Sequence, residues 1–363
     1  MIKDSDLSRT VKPLLDWFAG NARELPWRSD PQPYRVWVSE IMLQQTRVEA
    51  VKPYFERFMR ELPTIRDLAE CEEERLLKLW EGLGYYNRVR NMQAAAQTVM
   101  DQYGGKLPDD YKLLLELKGI GHYTAGAIAS IAYGKPVPAV DGNVLRVLTR
   151  VCTDDSDISK QAFRNAVEEK LKEIIPKDRA GIFNQALMEI GAIVCLPNGA
   201  PKCEECPFGE LCRARKEGTA EKYPVKAKKA GRRLEEKTIL IIRDGEKIVL
   251  HKRKPKGLLA GMYEFPSLDG FVGEKEALRY VEDAGFVPLH IQSAEDAKHI
   301  FSHVEWRMKA YVIRVAQMEK QPEELLLAET KTVQEKYPIP SAFVAYAKYV
   351  NIRTGNDAVR NPE

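Results

Sequence analysis

No run of apolar residues in this 363-residue chain approaches the roughly 18 that a bilayer-spanning helix requires, so a helical membrane protein is excluded. The opening residues MIKDSDLSRT lack the basic and then apolar pattern of a secretory signal, and the expected setting is intracellular with no membrane partner. Cysteine is scarce, six residues in all; without an export signal these point to ligands or free thiols rather than a disulfide scaffold. Charge of one sign is scarce as well. A net +3 is too small to indicate a nucleic-acid partner, because a balanced surface gives the same total. Repeats of fixed period and low-complexity tracts are absent. What is there is ordinary for a globular protein: 44% apolar and 30% charged residues, which excludes a wholly disordered chain. The length exceeds the roughly 100 to 200 residues of one domain, so two domains are expected.

From Leu7 to about Ala192 apolar residues recur at helical spacing between short breakers, giving a mostly α first region. The expected helices are DLSRTVKPLLDWFA, YRVWVSEIMLQQTRVEAVKPYFERFMRE, EERLLKLWEGL, NRVRNMQAAAQTVMDQY, YKLLLEL, YTAGAIASIAY, NVLRVLTRVC and RAGIFNQALMEIGAI. Four cysteines, Cys195, Cys203, Cys206 and Cys212, crowd into 18 residues and close a domain spanning 1–212. The next stretch, 213–233, carries nine basic residues against Glu217 and Glu221, a net +7, and reads as a basic linker. Beyond it TILIIR and EKIVLHKRK flank Asp244-Gly245, a hairpin signature with an Asp-Gly turn. KEALRYVEDAGF then reads as a helix and HIFSHVEWRMKAYVIRV as one long strand, so 234–353 is an α+β domain, followed by a polar tail at 354–363.

Three groups of residues carry chemistry. In LKGIGHYTAG, Gly119 and Gly121 lie between two helical runs, where glycine permits a tight turn and close approach of backbone N–H groups to a phosphate. The plainer alternative is a turn joining two packed helices. Asp141 precedes the helix NVLRVLTRVC, where a carboxylate caps the first turn, worth about 1 kcal/mol, and where the helix dipole favours its anion. Glu40 sits among Trp37, Val38, Ile41, Met42 and Leu43, so burial is expected to favour its neutral form, unless it merely faces water. Two carboxyls with pKa values forced apart make the acid and base pair that cleaves glycosidic bonds. The four clustered cysteines have the density of a four-thiolate site, for zinc or for an iron-sulfur cluster; spacing alone does not choose. Cys71 and Cys152 stand apart as structural thiols.

LPWR at 25–28, WVSEIMLQQT at 37–46, WEGLGYYNRVRN at 80–91, LKGIGHYTAG, AVDGNVLRV at 139–147 and the cysteine group together resemble the MutY-type adenine DNA glycosylases of the endonuclease III-like helix-hairpin-helix superfamily. The resemblance implies a base-excision enzyme that hydrolyses the N-glycosidic bond of adenine mispaired with 8-oxoguanine, and also with guanine, in double-stranded DNA. Glu40 would protonate the adenine and later activate water, Asp141 would stabilise the oxocarbenium-like sugar, Asn143 would orient the carboxylates and Tyr123 would hydrogen-bond near them. In related bifunctional enzymes a lysine takes the place of Tyr123, so base removal without efficient lyase activity is expected. Arg28 and Gln185 would line the adenine pocket; Gln45, Thr46, Leu83 and Tyr85 match positions that probe and wedge the opposite strand. The resemblance selects a 4Fe-4S cluster over zinc, although the first interval, LPNGAPK, is seven residues long where the family usually has six. It further implies a monomer in the bacterial cytoplasm, at the nucleoid.

The hairpin and GLLAGMYEFP resemble the MutT-like, Nudix-type domain that these proteins carry at the C-terminus. Of the hydrolytic REUxEExGU helix (U aliphatic) only Glu282, Asp283 and Gly285 remain, so 8-oxoguanine recognition by Phe301, Ser302 and His303 is implied instead of pyrophosphate hydrolysis. Two other functions compete: a bifunctional pyrimidine-lesion glycosylase and lyase, and a DNA-lesion binder without catalysis. The second domain argues against the former, and the presence of Glu40, Tyr123, Asp141 and Asn143 against the latter.

Overall fold

The computed structural model describes residues 6–227, 231–318 and 324–353; the tail expected at 354–363 and residues 228–230 of the basic stretch lie outside the described residues. Compactness divides the chain into two units, Met1–Val48 with Leu62–Ala69 and Asn91–Lys229, and Glu49–Glu61 with Glu70–Arg90 and Ala230–Glu363.

The first unit is helical and is built around two apolar helices, Gly142–Cys152 and Ala180–Ile193. Val144, Leu145, Phe183, Ala186 and Ile190 are fully buried between them and Leu14, Val167 and Leu171 of the flanking helices. Each such Val, Leu, Ile or Phe side chain contributes about 1.5–3 kcal/mol by leaving water. Pro33–Leu43 buries residues on every side, from Tyr34 to Met42, which makes it an interior helix rather than an amphipathic surface one.

Several local expectations change. The run from Tyr34 to Glu61 is two helices, Pro33–Leu43 and Val48–Glu61, because Gln45 turns left-handed (φ 59°) where the apolar pattern lapses into Gln44-Gln45-Thr46. The run from Tyr123 to Tyr133 is an α-helix, His122–Ala127, continued as a π-helical turn at Ile128–Ala132. Neighbouring backbone crowds that widening: a Cβ on Gly126 would lie 2.1 Å from the Pro138 carbonyl oxygen, and one on Gly181 2.6 Å from that of Ser130. The basic stretch is docked through much of its length, with Arg213–Lys216 helical, Ala214 fully buried, and the Val225 carbonyl accepting from Ile158 N–H at 3.2 Å.

The second unit contains a seven-stranded sheet of β1 (Arg233–Asp244), β2 (Lys247–Lys252), β3 (Tyr263–Glu264), β4 (Ser267–Asp269), β5 (Pro288–Ile300), β6 (Val304–Val315) and β7 (Leu325–Glu329). Its order is β3-β2-β1-β6-β5, with β4 on β1 and β7 on β2; β1 and β6 run parallel from Arg233 opposite Val304 to Arg243 opposite Arg314. Alternate residues of β1 feed two cores, Ile239 and Ile241 on one face and Leu240 and Ile242 on the other. The helix Glu274–Asp283 forms as its sequence indicates. Asp244 pairs with Lys247, so the tight turn is Gly245-Glu246, one residue later than expected. The single long strand expected at 299–315 is β5 turning into β6 through Phe301, Ser302 and His303, closed by Phe301 N–H donating to the Val304 carbonyl at 2.8 Å.

Candidate active site

The hairpin is built from Tyr111–Glu116 and His122–Ala127, joined by a turn in which Ile120 N–H donates to the Leu117 carbonyl. Asp110 caps the first helix by accepting from the Lys112 and Leu113 N–H groups. Gly119 takes φ 82°, and a Cβ there would meet Asn91 Cβ at 2.7 Å, so both backbone and packing require glycine. At Gly121, where φ is −96°, a Cβ would meet nothing within 4 Å; protein packing does not explain that glycine.

Glu40, Tyr123, Asp141, Asn143, Arg28, Gln185, Gln45, Thr46 and Gly121 line one pocket of about 890 Å³ in the first unit. Glu40 is buried, 6% exposed, and its Oε2 accepts the hydroxyl proton of Tyr123, which also lies 3.1 Å from Met188 Sδ. Burial pushes the Glu40 carboxyl up to about 7; the Tyr123 hydrogen bond and Arg28 pull it down, and the charge of Asp141 pushes it further up. Burial beside Glu40 and Asp141 drives the Tyr123 phenol well above its ordinary range, so it is a permanent donor at neutral pH.

Asp141 caps the helix Gly142–Cys152: Oδ1 accepts from Val144 N–H at 2.8 Å, and Oδ2 from Asn143 Nδ2 at 2.7 Å. Those bonds and the nearby Arg146 favour the anion, yet burial outweighs them and the carboxyl is raised. The expectation that Asp141 is pushed towards its anion is therefore corrected. Burial raises both carboxyls, and what differs is the opposition to it: Asp141 has several donors to its anion, whereas Glu40 has the phenol and Arg28.

Sequence reasoning missed the residues that hold these groups. Arg146, 6% exposed, donates to Asn143 Oδ1 at 2.8 Å, the Gly191 carbonyl at 2.7 Å and the Cys195 carbonyl at 2.8 Å, thereby locking Asn143. Asn184 is fully buried; it accepts from Ala139 N–H and donates to the Val137 carbonyl and Ser130 Oγ, fixing the segment that leads to Asp141. Glu189 accepts from Arg23 and Arg28 on the pocket wall. Gln185 Nε2 donates to its own helix at the Gly181 carbonyl, 3.3 Å.

Cys195, Cys203, Cys206 and Cys212 line one small cavity with Phe208 and Arg150. Burial, reinforced by the neighbouring thiols, pushes Cys203, Cys206 and Cys212 up, and Arg150 Nη1 approaches Cys195 Sγ at 3.2 Å. Such thiols lose their protons readily only to a cation that binds them together, so the donor set fits a metal centre in kind and number. Among the described residues no group of three or more His, Cys, Asp or Glu is already arranged to hold a metal ion. Cys152 is buried in the core and Cys71 is partly exposed.

The remaining site residues belong to the second unit. Leu83 is 6% exposed, so as a wedge it would first have to leave its packing, whereas Tyr85 is 49% exposed on a left-handed backbone, φ 48°. Ser302 Oγ lies 3.4 Å from the Tyr85 hydroxyl. Phe301 packs between His299 and Trp306, centroids 4.5 and 4.9 Å away, while Ser302 and His303 are exposed.

A family profile described as HhH-GPD superfamily base excision DNA repair protein matches residues 38–176, and one described as NUDIX domain matches 238–349. The chain is 35% identical over 358 residues to the adenine DNA glycosylase of Homo sapiens, covering 82% of this chain and 65% of that one. It is 34% identical over 306 residues to the adenine DNA glycosylase of Buchnera aphidicola subsp. Acyrthosiphon pisum, covering 83% and 85%. The chain thus spans just under two thirds of the human relative's length. In structure it is similar to a trapped endonuclease III–DNA covalent intermediate, with TM-score 0.50 and 28% identity over 59% of this chain and 99% of that one.

Proposed function

The chain belongs to the adenine DNA glycosylase family within the HhH-GPD superfamily of base excision DNA repair proteins, and from that membership we propose that it is a hydrolase removing adenine mispaired with 8-oxoguanine, or with guanine, from double-stranded DNA. The observation that carries the proposal is the convergence of Glu40, Tyr123, Asp141 and Asn143 on one pocket. A nucleotide in a duplex must be flipped out to reach it, at a cost of a few kcal/mol.

With its carboxyl held near neutrality, Glu40 is protonated in a useful fraction of molecules at pH 7 and donates that proton to an adenine ring nitrogen. The C1′–N9 bond breaks, its electron pair leaves with the neutral base, and positive charge develops on the sugar. Asp141, whose anion is held by Val144 N–H and Asn143, faces that charge. Water then adds at C1′ and gives its proton to the Glu40 carboxylate. Tyr123 holds Glu40 in place and, being a phenol, supplies no amine to form a Schiff base. We therefore assign monofunctional excision that leaves the strand intact.

Gln45, Thr46, Leu83 and Tyr85 are assigned to the opposite strand, with Phe301, Ser302 and His303 reading 8-oxoguanine; hydrogen-bond discrimination of this kind is worth about 1–3 kcal/mol. Gly119 and Gly121 hold a backbone phosphate. The four cysteine thiolates would hold a 4Fe-4S cluster whose contribution when bound is to brace the loop against Arg150. The protein is assigned as a monomer.

Single-turnover incubation with duplexes carrying adenine opposite 8-oxoguanine, guanine or thymine tests the proposal. Strand cleavage that appears only after hot alkali, fastest for the 8-oxoguanine pair, is expected. Cleavage without alkali would indicate a lyase, and none under either condition a binder.

A further inference from the structure

Glu189 is almost completely buried, 1% exposed, in the wall of the pocket that holds Glu40. A buried carboxylate there is costly unless it is paired on every side, and it is. Its oxygens accept from Arg23 N–H at 3.0 Å, Arg23 Nε at 2.8 Å, Arg23 Nη2 at 2.9 Å and Arg28 Nη2 at 2.8 Å. Arg28 is fixed on two further sides: Nη1 donates to the Arg23 carbonyl at 3.0 Å, and its guanidinium lies 5.3 Å from the centroid of the Phe18 ring.

We infer that Glu189 is a positioning residue for base excision: it clamps Arg28 beside Glu40 and offsets part of the charge that two arginines would otherwise present to the general acid. The inference rests on the activity proposed above. Two guanidiniums and one carboxylate leave one net positive charge on that wall. The groups facing Glu40 itself are Tyr123, Asp141 and Arg28, and the other charged or titratable side chains lining the pocket beyond Arg23 and Glu189 are Arg47, His122, Arg146, Arg164, Glu168 and Lys226. An unbalanced arginine pair stabilises the anion of Glu40 and depletes the protonated form that the reaction consumes. Arg28 already pulls Glu40 down, and the four bonds to Glu189 outweigh its burial and hold its own carboxyl at about 2, so Glu189 remains charged throughout the working range.

The test is the pH dependence of single-turnover adenine release from a duplex with adenine opposite 8-oxoguanine. Wild type is compared with Glu189→Gln and with the double variant Arg23→Gln/Glu189→Gln. In Glu189→Gln the alkaline limb is expected to move to lower pH by on the order of one unit, the effect of one uncompensated charge near a buried acid. In the double variant, which loses one charge of each sign, the limb is expected to return to the wild-type position. A purely structural role for Glu189 would lower the rate at every pH without moving the limb. An unmoved limb in Glu189→Gln overturns the inference; so does a limb that stays displaced in the double variant, which also decides the question if the single variant fails to fold. Failure of the wild type to release adenine at all would instead overturn the activity, and this inference with it.

Discussion

Glu40→Gln should stabilise the protein while abolishing excision, and the gain should depend on pH. The folded state raises the Glu40 carboxyl from 4.5 to about 7, so between those values the native protein holds a proton that the unfolded chain has released. Stability therefore falls as pH rises through that window and levels off above about 7. At about 1.4 kcal/mol per pH unit, ionised Glu40 costs about 3 kcal/mol at pH 8. Glutamine keeps the shape and can still accept from Tyr123, but never ionises. Its amide protons lack an assured partner in the pocket, so the net gain is at most about 3 kcal/mol, worth several degrees of melting temperature in a unit of this size. Thermal unfolding of the full chain at pH 5 and pH 8 measures it. The variant is expected to melt at or slightly below wild type at pH 5 and above it at pH 8. Equal midpoints at both values, or a loss at pH 8, would refute the assignment of Glu40 as a buried acid held near neutrality.

Other outcomes follow from the same contacts. In Gly191→Ala the new Cβ would lie 2.6 Å from Asn143 Cβ and 3.2 Å from its Cα. Overpacking of this kind costs about 1–3 kcal/mol, and by displacing Asn143 it should cut single-turnover excision more than DNA affinity; unchanged excision would show that Asn143 need not be held there. With nine basic residues at 213–233, binding of a duplex should weaken at least about tenfold between roughly 50 and 200 mM salt through counterion release; a flat profile in a titration would assign those charges to solubility alone. Purified protein should show broad visible absorbance from an iron-sulfur centre that is lost in Cys206→Ser, whereas colourless protein containing zinc would overturn the cluster assignment.

Local signals were legible wherever a short stretch of sequence decides the structure. The Asp141 cap and the helix Asn87–Tyr103 depend on residues a few positions away, and the hairpin glycine Gly119 is announced by its own left-handed turn, although its packing against Asn91 is not. Gln161–Ile174 was missed although Phe163, Val167 and Leu171 recur every four residues, because the charges between them mask the stripe. The turn at Phe301–His303 has no glycine or proline to announce it, so two strands read as one. Charge alone made 213–233 look solvated, but the buried Ala214 docks its first helical turn. What sequence could not supply is density around a group. Asp141 was expected to be pushed towards its anion from its helix dipole, yet burial raises it. Likewise Asn184 and Glu189 acquire meaning only through partners 45 and 166 positions away, and Arg146 ties the nearby Asn143 to Gly191, 45 positions away.

Asp141 and Glu40 are assigned jointly to breaking the glycosidic bond in one pocket. Asp141→Asn tests that assignment most directly, because asparagine can still accept from Val144 N–H and cap the helix while lacking the charge. Free adenine released from an adenine–8-oxoguanine duplex should be quantified for both proteins at equal DNA occupancy. Wild type is expected to release adenine in step with the abasic strand, and the variant to bind the duplex yet release almost none. Release by Asp141→Asn at the wild-type rate would show that the Asp141 carboxylate is not needed for excision.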